Sequence, residues 1–181
     1  MNPKEAYARY RIGKLTTDKM IELANSWLEE GLYSFHLAEM ITEQNPVFEE
    51  TSLIFEKAIA DFGIDTQTPL ESATALTQFT LQNIVDGNIP PDEGASYLYW
   101  DVHHSIVSEY PDKQYLGDNL GLEYVFCWLR EIWDCRDGSM ILYHTDLPRD
   151  QAEVKFREHL VEEAEKLLEK MKQYQGMEPT R

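Results

Sequence analysis

Apolar residues recur along most of this chain at intervals of three and four, the spacing of helices that bury one face. Met20, Leu23, Ala24, Trp27 and Leu28 follow a cap at Thr16 or Thr17 and stop before Gly31, which predicts one amphipathic helix. Ser34 to Glu43 predicts a second, with Leu37, Met40 and Ile41 inward. Asn45 and Pro46 open a third, whose Phe55, Ala58, Ile59 and Phe62 face inward until Gly63. Thr68 and Glu71 make a capping box with Pro69 at the first helical position, so a fourth helix runs to Asp86 and ends at Gly87. A fifth spans Asp92 to Ser108 before Pro111, a sixth Asp118 to Cys135, and the last Pro148 to Tyr174, stopped by Gly176. Only Ser139 to His144 has an extended character, and a lone strand has nothing to pair with, so it reads as a packed loop. The expectation is an all-α protein, a single-domain helical bundle of seven helices over residues 1–181. Residues 1–15 read as a flexible basic arm and residues 175–181 as a flexible tail.

The fifth helix is the most unusual. At 100° per residue, Ala95, Leu98, Tyr99, Val102 and Ile106 share one face, while Tyr97, Trp100, His104 and Val107 lie nearly opposite. Two apolar faces suit a central helix with neighbours on both sides. That is the leading reading; the other is a helix that offers Tyr97, Trp100 and His104 to a partner, since Tyr and Trp are the usual interface anchors. The sixth helix carries Leu122, Val125, Phe126, Trp128, Leu129, Ile132 and Trp133 on a broad apolar face, which predicts core. The last has a packing stripe at Ala152, Phe156, Leu160, Ala164, Leu167, Leu168 and Met171, and a solvated face where Glu162 and Lys166 are four apart. Its stripe is not a sustained coiled-coil heptad.

Charge changes the picture more than composition does. Apolar residues at 43% and aromatics at 12% supply the burial that a disordered acidic chain lacks. The formal net charge of −17 is concentrated: Met20 to Leu129 holds nineteen Asp and Glu against Lys57 and Lys113, with no Arg. Residues 1–19 hold five basic and two acidic side chains, and residues 130–181 nine and twelve. Such a body attracts cations and repels phosphate backbones, which argues against nucleic acid. No apolar run approaches the roughly 18 residues that cross a bilayer, and no apolar signal core follows the N-terminus, so the expected location is cytoplasmic and away from membranes. Cys127 and Cys135 are eight apart on one predicted helix, too far to bridge, and read as free thiols of a reducing compartment.

Three His-carboxylate pairs sit three residues apart: His36 with Glu39, Asp101 with His104, and His159 with Glu162. They are weak candidates for metal ligands, because carboxylate-bridged sites in bundles use Glu-x-x-His, whereas here the order is His-x-x-Glu twice and Asp-x-x-His once. No Cys-x-x-Cys, His-Glu-x-x-His, phosphate loop or nucleophile elbow is present, and Glu123 and Glu131 flank Cys127 in a way that raises its thiol pKa. No cofactor, metal or catalytic residue is therefore assigned.

The charge pattern predicts a non-enzymatic domain that binds a basic protein partner. In charge and size alone the chain resembles the small acidic immunity proteins that bacteria keep beside toxins such as nucleases, although no motif assigns it to a family. Asp86, Asp92 and Glu93, near Tyr97, Trp100 and His104, are the expected contact patch. The alternatives are a helical-bundle metal-dependent hydrolase and an acidic homo-oligomeric domain whose charge serves solubility.

Overall fold

The helix caps form as their side chains demand. In the computed structural model, which describes residues 1–43 and 45–175, Thr16 Oγ1 accepts from Lys19 N–H at 3.4 Å and opens α2 (Thr17–Glu29). Ser34 Oγ accepts from the N–H groups of His36 and Leu37 and opens α3 (Phe35–Thr42). The predicted capping box is reciprocal. Thr68 Oγ1 accepts from Glu71 N–H at 3.2 Å, and Glu71 Oε2 takes the Thr68 N–H at 2.7 Å, opening α5 (Pro69–Val85). The Thr68 N–H, and then the Thr68 hydroxyl donating to the same oxygen at 2.9 Å, hold the Glu71 carboxyl below its usual range.

The protein is all-helical, and no strand occurs among the described residues. The remaining elements are α1 (Pro3–Arg11), α4 (Phe48–Asp61), α6 (Pro91–Tyr97), a π-helical segment (Leu98–His103), α7 (His104–Ile106), α8 (Glu123–Asp137) and α9 (Arg149–Gln175). Among the described residues no helix is long and apolar enough to cross a membrane.

By their contacts the helices gather into two compact units, Met1–Ala73 and Thr74–Arg181. In the first, α2, α3 and α4 pack on one another around Trp27, Phe55, Met20, Leu37, Met40 and Ile59, all 1% exposed or less. The expected flexible arm is instead a helix. Asn2 caps α1 by accepting from Glu5 N–H, Pro3 sits at its first position, and Ala6, Tyr7 and Ala8 are buried. Helix α1 packs on α4, where Tyr10 Oη donates to Glu56 at 3.0 Å, and Trp27 Nε1 donates to the Met1 carbonyl at 2.8 Å. The end of the chain beyond 175, including the expected stop at Gly176, lies outside the described residues.

In the second unit α8 and α9 pack along each other, with α6 against both. Ala152, Phe156, Leu160, Ala164 and Leu168 are buried as the stripe predicts, while Leu167 is half-buried. Helix α8 starts at Glu123 rather than at Asp118, for a local reason. The Asp118 carboxylate accepts the backbone N–H groups of Lys113, Gln114 and Tyr115 at 2.7 to 3.0 Å, so it folds a loop instead of capping a helix. Those bonds lower its pKa. Gly117 in that loop has φ +81°, and a Cβ there would lie 2.5 Å from the Phe126 ring.

Gly94, inside α6, has ordinary helical φ, yet a Cβ would come within 2.7 Å of Ile84 Cγ1 and of Ile89 Cδ1. Helix propensity alone favours Gly94→Ala by about 1 kcal/mol. Overpacking opposes it by roughly 1–3 kcal/mol. The expected outcome is a net destabilisation in urea unfolding, and a stabilised variant would show that the two isoleucines move aside.

Candidate functional site

Helix α6 abandons the α pitch where the sequence is richest in bulky rings. Over Leu98–His103 the backbone is π-helical, and α7 restores the α pitch for a single turn. A π turn bonds N–H to the carbonyl five residues back, so side chains five apart come together. That brings His104 onto Tyr99. Their rings are 4.7 Å apart, and His104 Nδ1–H donates to the Tyr99 carbonyl at 2.7 Å. Ser105 Oγ likewise donates to the Asp101 carbonyl. Leu98, Val102, His103 and Ile106 are all buried beneath.

The outer side of this segment is an aromatic cluster. Trp100, 55% exposed, meets Tyr99 edge-on at 4.7 Å, tilts over His104 at 5.0 Å and stacks with Trp133 of α8 at 6.2 Å. Tyr99 also touches Trp133 at 5.4 Å and Phe126 at 5.2 Å. The regular helical wheel puts Tyr99 on the face opposite Trp100; in the structure the two neighbouring rings touch, and the π pitch adds His104, five residues on from Tyr99. Trp133, expected in the core, is half-buried at the edge of this cluster, as is Trp128 elsewhere on α8. Tyr97 is half-buried, and Glu93 is exposed one turn before it on the same face.

Beneath the cluster lies a buried imidazole. His103, 2% exposed, donates from Nε2 to the Asp112 carboxylate, whose oxygens are 3.0 and 3.1 Å away. Asp112 also accepts the Gly117 N–H at 3.1 Å, so the pair ties the π segment to the loop before α8. His103 Nδ1 is buried with no protein partner.

Of the expected contact acids, Asp86 and Glu93 are exposed, and Asp86 accepts from Gln82 Nε2 at 2.9 Å. Asp92 is 7% exposed, with its carboxylate between Arg136 Nη2 at 2.7 Å and Arg157 Nε at 3.1 Å. Glu153 closes the network on the same two guanidinium groups at 2.9 and 3.0 Å. Asp92 therefore joins α6 to α8 and α9 and offers no open carboxylate. Its partners lie 44 and 65 residues away in sequence, beyond the reach of spacing arguments.

The three His-carboxylate pairs diverge. His36 Nδ1 bonds Asp61 at 2.8 Å, not Glu39, and the same Asp61 oxygen accepts Ser34 Oγ–H. Those two bonds, Ser34's first, lower the Asp61 pKa. His104 turns to the Tyr99 carbonyl, while Asp101 is half-buried. His159 does bond Glu162, at 3.2 Å, and its other nitrogen meets His144, a residue that periodicity left in a loop. Among the described residues no group of three or more His, Cys, Asp or Glu is placed to hold a metal ion. Cys127 is exposed and Cys135 buried, both free. Burial and then Glu131 push the Cys127 thiol up, away from a reactive thiolate.

Comparison with protein-family models, with curated proteins and with solved structures finds no match.

The Asp92 network makes a pH prediction. Burial alone would raise the Asp92 pKa, but the Arg136 hydrogen bond and the Arg157 charge outweigh it and hold the carboxyl below its usual range. Stability from a depressed carboxyl is complete above the unfolded value of about 3.9 and is lost as pH falls through the folded one. Because both arginines are 41% exposed, solvent screens the pair. Asp92→Asn is expected to cost about 1–3 kcal/mol at pH 7. The gap should shrink below about pH 4, as followed by urea unfolding at each pH.

Proposed function

We propose that this chain is a non-enzymatic protein-binding domain for a basic protein partner, and that the aromatic face at the π segment is its contact. Trp100 carries the reading: a large indole, more than half exposed, held in ring contact with Tyr99, His104 and Trp133. Burial would remove an exposed Trp from water at a gain, so an organised one suits an interface anchor. π-helical turns occur frequently at functional sites. An indole face also attracts guanidinium and ammonium groups, which matches a partner rich in Arg and Lys.

The charge supports the same partner. Glu93 and Asp86 are exposed in this unit, and the long Arg-free stretch gives the chain a field that steers cations toward it. Neutralising a nuclease toxin, as an acidic immunity protein does, is the particular form that fits. A nuclease cleft presents Lys and Arg for phosphates, and carboxylates bond the same donors. Such a protein works in the cytoplasm, where Cys127 and Cys135 stay reduced.

A fluorescein-labelled oligo-arginine peptide is the first probe. Binding should weaken steeply with added salt, and Trp100→Ala should weaken it at least about tenfold with unchanged circular dichroism. Glu93→Gln should flatten the salt dependence while leaving most of the Trp100 effect. Equal affinity of Trp100→Ala and the unmodified protein would show that the acidic field alone attracts the peptide and would overturn this site.

A further inference from the structure

His144 lies in the loop between α8 and α9 with φ +50°, the left-handed region that only a few side chains enter readily. Its Nε2 faces the Nε2 of His159 on α9 at 3.1 Å. The ring centroids are 5.3 Å apart and the planes differ by 9°. Two imidazoles in nearly one plane, with centroids that far apart for so close a nitrogen pair, meet end to end. Ligands of a common ion would instead fold toward it. The contact is an N–H···N hydrogen bond.

The surroundings fix its direction. Glu162 Oε2 lies 3.2 Å from His159 Nδ1, and a carboxylate accepts, so His159 carries its proton on Nδ1. Its Nε2 is then the acceptor, and His144 Nε2–H is the donor. A first added proton goes to His144 Nδ1 and keeps the bond. A second must take the His159 Nε2 lone pair, which removes the acceptor and sets two cations against each other.

We propose that this pair is a proton-operated latch that holds residues 139–147 onto α8 and α9 near neutral pH and releases them on acidification. The segment's other ties include Leu142 N–H to Glu131 on α8 at 2.8 Å, Tyr143 against Trp128 at 5.2 Å, the His144 ring against Phe156 of α9 at 5.6 Å, and Ile141 buried beneath. Arg149 bonds the carbonyls at its start, Gly138 and Ser139. Met140 and Leu142 already face solvent, so release bares further apolar surface at Ile141 and Trp128.

Of the charged side chains on α8, Glu131 is buried and bonded to Leu142 of the segment, Arg130 reaches Asp134, and Arg136 is held by Asp92 and Glu153; the loop contributes Asp146. On α9, Lys155 is paired with Glu158 and Lys166 with Glu163, which leaves Glu162 as the carboxylate in contact with the imidazoles. Of the side-chain types at this contact, only imidazole ordinarily changes charge between about pH 5 and 8, which is the range the test uses. By sign, the closed loop binds fewer protons than the open one, so closure is lost as pH falls. The latch is independent of the Trp100 face.

The test is amide exchange at Leu142, corrected for intrinsic rate, together with ¹⁵N imidazole spectra. At about pH 7.5 His159 should appear as the Nδ1–H tautomer and His144 as the Nε2–H tautomer. Leu142 protection should fall at least tenfold by about pH 5.5, a drop set by histidine titration. In His159→Gln the side-chain amide oxygen accepts from His144 and does not titrate, so protection should persist at the lower pH. Protection that does not change with pH, or an equal loss in His159→Gln, overturns the latch. So does stoichiometric Zn²⁺ binding through both imidazoles at the higher pH, since the lone pair would then serve an ion.

Discussion

The second unit depends on one constraint: its central helix carries more large side chains than an α-helical face can bury. Ala95, Leu98, Val102 and Ile106 take the inner side and are essentially inaccessible. Tyr99 and His103 follow on that same helix, where the pitch departs from 3.6 residues per turn. The π segment widens the turn, which lets His103 point inward to Asp112 while Tyr99 swings toward Trp100 and His104. The aromatic cluster is thus a consequence of packing as much as the recognition surface proposed for it. A feature with both origins is hard to mutate in one role without the other, which is why Trp100, the outermost ring, is the informative position.

Charge segregation along the chain does not survive folding intact. The acidic stretch ends at Leu129, and the Arg-bearing stretch begins at Arg130. Yet Asp92, within the first, sits between Arg136 and Arg157 of the second. Within the first unit, helix α1 packs on α4, and Tyr10 donates to Glu56 of the acidic stretch. Folding therefore spends some carboxylates internally and leaves others, such as Glu29, Glu30, Glu39, Glu49 and Glu50, exposed. Such pairings leave the net charge unchanged; the exposed remainder sets where on the surface that charge is met.

What could be read from sequence follows the range of the interaction. Thr16, Ser34 and the Thr68–Glu71 box are satisfied within three residues, and all three predicted helix starts hold. The packing stripe of α9 holds for the same reason, since one helix fixes its own periodicity. Helix α1 had its signal, Asn2 before Pro3 with Glu5 early and Arg9 and Arg11 late, but its polarity masked it. Asp118 looked like a cap and instead gathers three backbone N–H groups, a choice that depends on the loop closing around Gly117. The π pitch was not legible, because a wheel drawn at 100° assumes what the segment violates.

The histidines sharpen that lesson about spacing. Three residues apart on a helix guarantees nearness and nothing about direction, because helical side chains lean toward the N-terminus and choose among several acceptors. His36 leaves Glu39 for Asp61, because that carboxylate is already oriented by Ser34. His104 takes a main-chain carbonyl that the π segment presents. Only His159 keeps its sequence neighbour, and the carboxylate there sets the tautomer that lets the opposite nitrogen accept from His144. In each case the partner outside the motif decides what the imidazole does: the first two are fixed in structural bonds, and the third is left as an acceptor whose single lone pair a proton can take.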